Sequence, residues 1–313
     1  MTATLTMNTM MSTSGDAVAA ATPVPELASE LPKLNEAQLK AAAGREAMTQ
    51  LTVRRRRERL TAIVQRVVPG LVGIILFVLL WQGVSQFVTH FPGPVKVWDS
   101  AVKLFNDPFY RKGPNDQGIG WNILASLQRV GLGFGLAALV GIPAGFMIGR
   151  YVTLDRMTAP IISILRPVSP LAWLPIGLMV FKAANPAAIW VIFICSIWPM
   201  IINTATGVQR IPQDYLNVAR VLKLSEWKVF TKILFPAVLP YTLTGVKLSI
   251  GVAWLVIVAA EMLTGGLGIG FWLWDEWNNL VMEHIINAIF TIGIVGLVLE
   301  QALIWIAKRF QFD

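Results

Sequence analysis

Residues 211–240 read IPQDYLNVARVLKLSEWKVFTKILFPAVLP and lie between two apolar runs, Ala187 to Ile202 and Tyr241 to Leu263. Pro212 suits the first turn of a helix, where its missing N–H is not needed, and predicts a helix from Gln213 to Leu222. Leu216, Ala219 and Leu222 recur at helical spacing and mark one apolar face, with Arg220 and Lys223 pointing elsewhere. Ser225 is placed to cap a second helix with its own stripe of Trp227, Phe230 and Leu234. Pro236 and Pro240 then interrupt the hydrogen-bond ladder before the next run. The expectation is a short amphipathic helix pair between two membrane spans.

The flanking runs are two of a series. The 313 residues are 55% hydrophobic and 14% charged, where a soluble domain carries roughly a quarter charged residues. A helix needs about 20 mostly apolar residues to cross a bilayer. Val67 to Val88, Ile123 to Ile148 and Ile285 to Ala307 supply three more such runs, and Ile161 to Phe181 a sixth, broken by prolines. A large soluble core is also hydrophobic, but it does not supply runs of this length in such number. The expected fold is an all-α integral membrane protein of six transmembrane helices over residues 67–310, with a cytoplasmic loop at 211–236.

Basic residues set the orientation. Starting inside, the cytoplasmic segments hold eighteen Lys and Arg against five on the other side, Lys96, Lys103, Arg111, Lys112 and Lys182. This bias places both termini in the cytoplasm. Residues 1–34, rich in Ala, Thr, Ser, Met and Pro, lack the apolar core of a secretory signal and read as a disordered cytoplasmic tail. Residues 35–66 read as a basic juxtamembrane helix ending near Arg54-Arg55-Arg56-Arg57-Glu58-Arg59. Such a run can bind nucleic acid, but its place before a span favours anionic lipid. No nucleic-acid partner is expected.

Outside the spans, Phe91 to Gly118 is expected to hold a short interfacial helix near Val95 to Phe105. Thr264 to Glu283 carries Gly265, Gly266, Gly268 and Gly270 before Trp272, Trp274 and Trp277. Those glycines match neither the dinucleotide nor the P-loop spacing, so a turn with an aromatic belt is the plainer reading. Enzyme chemistry finds little footing. His90 and His284 are the two histidines, Cys195 the one cysteine, and no Walker A, nucleophile elbow or metal-ligand spacing occurs. No metal site is expected. A stand-alone carrier or channel fits the hydropathy but leaves the 211–240 loop without a role, and no internal repeat supports an inverted-repeat carrier.

At this loop the chain resembles the permease subunits of bacterial ABC importers. Their hallmark runs Glu-Ala-Ala, three residues, Gly, nine residues, Ile, one residue, Leu-Pro. Ala219, Ile233 and Pro236 match it, whereas Asn217, Lys223 and Phe235 depart. The resemblance extends from about Asn122 to Phe310, through Leu127-Gln128-Arg129-Val130, Leu165-Arg166-Pro167-Val168-Ser169-Pro170-Leu171-Ala172, Gly207-Val208 and Ala260-Glu261-Met262-Leu263. It is similar to the subgroup serving nitrate and nitrite, bicarbonate, cyanate, taurine and alkanesulfonates. Val218 to Ser225 and Gly268 to Asn279 look most like its nitrate and bicarbonate members.

The resemblance implies a type I permease working by alternating access as two copies in a bacterial inner membrane. It implies cytoplasmic ABC ATPase subunits that bind ATP and Mg, a periplasmic or lipid-anchored substrate-binding protein, and no cofactor in this chain. Asn217, Ala219, Arg220, Leu222, Lys223 and Leu224 are the expected ATPase-coupling residues. Lys223 at the glycine position implies a different turn or a charge paired to the ATPase. Charges inside spans are functional candidates by default. Arg129 and Lys247 have a second reading as snorkelling cations. Arg166 sits where prolines break a helix and backbone carbonyls need partners, so it is read first as holding that broken segment together and second as touching an anion. Glu261 ends a span where it can pair with one of these cations, and since a carboxylate would repel an anionic cargo its expected role is structural or gating. Arg166, Lys247 and Glu261, with Asn203, Thr204 and Thr206 on span four, are the candidates for lining or gating the path. The hydroxyls and amide of span four equally suit helix–helix hydrogen bonds.

Overall fold

The computed structural model describes residues 36–113 and 116–310, so the expected tail at 1–34 lies outside the described residues. Contacts divide the chain within its first helix, into Met1–Ile74 and Ile75–Asp313, and the second part carries the bundle. Helix α1 is Glu36–Phe87; the side chains of its Arg54–Arg59 run are outside the described residues. It is followed by α2 (Pro94–Asn106), α3 (Ile119–Arg150), α4 (Val152–Leu165), α5 (Pro170–Phe181) and α6 (Ala184–Gln209). Next come α7 (Gln213–Val221), α8 (Glu226–Val229), a π turn (Phe230–Leu234), α9 (Phe235–Thr264), α10 (Ile269–Asn278) and α11 (Met282–Phe310). No strand forms among the described residues.

Five helices are long and apolar enough to cross a membrane, within α1, α3, α6, α8–α9 and α11. The sixth expected span is the pair α4 and α5, bent by 99°. Pro167 and Pro170 lack the N–H that would carry the ladder across the break, and Pro170 opens α5 at its first turn. The interfacial helix expected near Val95 to Phe105 is α2. It is pinned by the Asn287 amide of α11, which donates to the Val97 carbonyl at 3.3 Å.

The core is the stack of α3, α6 and α9. Gly133, Ala137, Gly141, Gly145 and Gly149 stand four apart on α3 and are the face that α6 meets. A Cβ on Gly145 would lie 2.7 Å from Thr204 Cβ and 2.8 Å from the Ile201 carbonyl. This small-residue spacing lets two helix backbones touch, the means by which helices associate in lipid, where tails are as apolar as leucine. It is the fold determinant that hydropathy alone does not mark. On the other side of α6, Ser249 of α9 donates to the Ser196 carbonyl at 2.7 Å.

One element differs from expectation. The second helix of the loop is not a separate unit, because α8 runs through the π turn into α9 as one span from Glu226 to Thr264. Ser225 does cap it, accepting from the Lys228 N–H at 3.4 Å. Pro236 and Pro240 bring no gap; the wider π turn lies directly ahead of Pro236, and the helix continues.

Gly145→Leu is expected to cost at least about 1–3 kcal/mol by overpacking and to lower the unfolding temperature in detergent. Gly135→Leu, on a face where an added Cβ meets nothing within 4 Å, should leave that temperature unchanged.

Candidate functional site

Two regions concentrate polar chemistry, one at each end of α9. At the α10 end, the Glu261 carboxylate is 1% exposed. Arg129 of α3 meets its Oε1 at 2.6 Å, with side chains 12% and 1% exposed. Ser126, one turn earlier on α3, reaches Oε2 at 2.8 Å, and the Gly270 N–H donates to Oε2 at 3.0 Å. Arg129 also donates to the Leu267 carbonyl at 2.6 Å and to Asn185 Oδ1 at 2.9 Å. The Gly268 N–H is taken by Asn122 Oδ1 and the Ile269 N–H by Ser126 Oγ, both at 3.0 Å.

The arrangement is a helix N-terminus capped from outside. The first turn of α10 has orphan N–H groups, and α3 and α9 supply an amide, a hydroxyl and a carboxylate to receive them. A buried carboxylate is tolerable only when paired and hydrogen-bonded, and here each oxygen has partners. The glycines follow from this closeness: a Cβ on Gly268 would overlap the Glu261 carboxyl group, and one on Gly270 the Val258 carbonyl. The glycine run therefore does cradle an anion, but the anion is the chain's own. Arg129 does not snorkel. It is held inside by Glu261, 132 residues away.

At the opposite end, α7 is fixed through Ala219, 2% exposed, which joins Phe146, Val208, Ile211, Val229, Leu234 and Val238 in a buried cluster. Leu216 and Leu224 pack at its edge. Leu222 does not join the buried face as expected. It is 64% exposed, with Tyr215, Val218 and Val221 exposed beside it. The helix is too short for one face to reach both ends, so the chain leaves it before Leu222 can turn inward; Leu222 is the cap residue. Asn217, Arg220 and Lys223 are exposed. Lys223 takes φ 47, and the Leu224 N–H returns to the Ala219 carbonyl at 3.0 Å. The different turn expected from its lysine is absent, and the left-handed geometry that glycine favours is kept. Arg150 at the end of α3 reaches Glu226 at 3.6 Å, and Phe146 meets Phe230 edge to face and stacks on Phe235.

The remaining candidates separate. Lys247 does not lie at a surface alone but pairs with Glu300 of α11 at 3.1 Å, an acid the sequence reading passed over. Asn203 donates to the Pro199 carbonyl on its own helix at 2.8 Å. Thr204 is fully buried, its hydroxyl 3.3 Å from Thr242 of α9. Thr206 lines a cavity shared with Arg166. Ser126, Asn122 and the two packed glycines are site residues that sequence reading missed. Their polar or small character was visible, but their convergence was not.

Comparisons with known proteins bear on both ends. Residues 141–312 match the model of the binding-protein-dependent transport system inner membrane component family. Nitrate import permease protein NrtB of Leptolyngbya laminosa is 49% identical over 246 residues, covering 79% of this chain and 88% of that protein. Bicarbonate transport system permease protein CmpB of Synechocystis sp. is 47% identical over 246 residues, covering 77% and 88%. Among solved structures, an inward-facing MetNI methionine ABC transporter chain shares the fold at TM-score 0.53 and 14% identity, covering 62% of this chain and 96% of that one.

Removing one member of the buried pair leaves the other uncompensated, at a cost of about 3–5 kcal/mol. Arg129→Gln should therefore lower thermal stability in detergent by more than Lys247→Gln, whose pair is 44% and 47% exposed.

Proposed function

The chain belongs to the family of binding-protein-dependent transport system inner membrane components, and from that premise we propose that it is the membrane-spanning subunit of an ATP-driven importer of a small inorganic anion. The observation that carries the reading is α7. It lies between the spans that end at Gln209 and begin at Glu226, yet it presents Tyr215, Val218, Val221 and Leu222 to its surroundings. An apolar patch outside the lipid calls for a protein partner, and a cytoplasmic ABC ATPase is the partner that such a loop serves.

In this reading both termini are cytoplasmic, the protein sits in a bacterial inner membrane, and two copies form the path between them. ATP and Mg are bound by the ATPase, and this chain needs no cofactor. A substrate-binding protein delivers cargo at the α10 end. Closure of the ATPase pair pushes α7, and the push enters the bundle through Ala219 and the aromatic contacts of Phe146 with Phe230 and Phe235. Packed helices pass such a displacement on as rigid bodies.

Nitrate or nitrite is the first choice of cargo. Bicarbonate is the second, favoured by the 47% identity to a bicarbonate permease beside 49% to a nitrate permease. Cyanate and sulfonates follow. Cells expressing the complete transporter should take up labelled nitrate, and a tenfold excess of unlabelled bicarbonate should compete only if the second choice is right. Val221→Asp, which changes an exposed position, should abolish uptake while leaving the amount of protein in the membrane unchanged. Normal uptake by this variant would remove α7 as the coupling element.

Lys223 separates charge from backbone. Lys223→Gly keeps the left-handed turn and should keep transport if the turn is what matters. Lys223→Glu should lower uptake only if an acidic groove faces this residue, and the uptake rates of the two variants decide between these roles.

A further inference from the structure

Arg166 stands at the 99° break between α4 and α5. Its backbone N–H returns to the Ile162 carbonyl at 2.9 Å, but among the described residues its guanidinium has no hydrogen bond or ion pair. An unpaired cation within a span is costly in hydrocarbon, so it belongs on a wet path. The broken backbone is held without it, and the side chain is left for something else.

It lines a cavity of about 250 Å³ with Ser163, Thr206, Gln209 and Asp155, walled by Ile201. The hydroxyls are informative. Thr158, Thr231, Thr244, Thr264 and Thr291 each donate back to the carbonyl four residues earlier. Thr206 and Ser163 do not, and neither they nor Gln209 spend a side-chain polar group elsewhere among the described residues. One guanidinium, two hydroxyls and an amide thus line one open cavity with no side-chain partner among the described residues, Arg166, Ser163 and Gln209 exposed and Thr206 half-buried.

Taking the importer reading as given, we propose that this cavity is a transit station for the transported anion, where Arg166 supplies the charge and Ser163, Thr206 and Gln209 the hydrogen bonds. The ligand class is a small oxyanion of one negative charge, whose planar oxygens suit a guanidinium fork. Asp155 lines the same cavity and opposes the anion. With one cation and one carboxylate the site holds its guest weakly, as a path requires, since tight binding would trap the cargo.

The test uses the whole transporter, with its ATPase and binding protein, in liposomes, reading labelled nitrate uptake and ATP hydrolysis together. Arg166→Gln should cut uptake at least tenfold while hydrolysis stimulated by the binding protein stays within twofold. Thr206→Val should cut uptake several-fold, and Arg166→Lys should recover part of it. Wild-type uptake per ATP in Arg166→Gln would overturn the station. So would loss of stimulated hydrolysis along with uptake, which would make Arg166 a structural residue.

A second arm does not depend on import. With Ile202→Cys as reporter on the cavity wall, nitrate should slow thiol labelling at least threefold relative to gluconate, and Arg166→Gln should abolish that protection. Equal labelling in both salts would overturn the station. A wild-type complex that imports neither nitrate nor bicarbonate would instead remove the importer reading, and the protection arm would still decide whether the cavity holds an anion.

Discussion

The architecture rests on one carboxylate placed where no water reaches it. Glu261 at the end of α9 draws in Arg129 and Ser126 of α3 and the Gly270 N–H of α10. A lone charge in that position would be intolerable, so three helix ends are obliged to converge. The demand propagates outward. Side chains at positions 268 and 270 are excluded, and Asn122 and Ser126 become caps for a helix to which neither belongs. Replacing such a cluster with apolar packing can leave stability unharmed, so its value here lies in fixing where α10 stands.

From that anchor, α9 runs back through 30 residues to the π turn beside α7, a span of about 45 Å at 1.5 Å per residue. The two candidate regions are thus the ends of one rod. Close packing makes the rod stiff. α3 approaches α6 through a stripe of small residues, and α9 approaches it where Gly245 leaves room for the Pro199 carbonyl. Backbones this near have little freedom to slide, and movement at one end is delivered to the other as a tilt. The bend between α4 and α5 is the exception, and the free guanidinium of Arg166 sits at that bend.

What the sequence disclosed was local. Five crossing helices, the proline break, α2 and α7 follow from runs, periods and proline positions within a few turns of each residue. The hallmark loop was legible as well, although its apolar face was read as Leu216, Ala219 and Leu222 together, and of these Ala219 is the buried one. Contacts across long separations were legible only in kind. Glu261 was expected to pair with a cation inside the spans, but nothing near Arg129 marks it as that partner from 132 residues away, so snorkelling was the first reading there, and the glycine run matched no anion-binding spacing because its anion lies within the same chain. The turn expected at Lys223 failed for a different reason. A glycine position was taken to require glycine, whereas the turn is closed by the bond from Leu224 to Ala219 and accepts a strained lysine. Leu222 followed the helical period faithfully, but the helix ended first.

The π turn at Phe230–Leu234 has an implication for how such a chain can change over generations. A π turn holds one residue more than the α-helical ladder needs and takes it up by widening locally. Deleting a single residue there would restore the regular ladder and leave the helix on either side facing as before. The same deletion farther along α9 would instead turn everything before it by about 100° around the axis, since 3.6 residues make one turn. Trp227 and Glu226, just ahead of the π turn, keep their neighbours in the first case and lose them in the second. The π turn is thus the one place along this span where the chain can shorten by a residue without re-aiming α7.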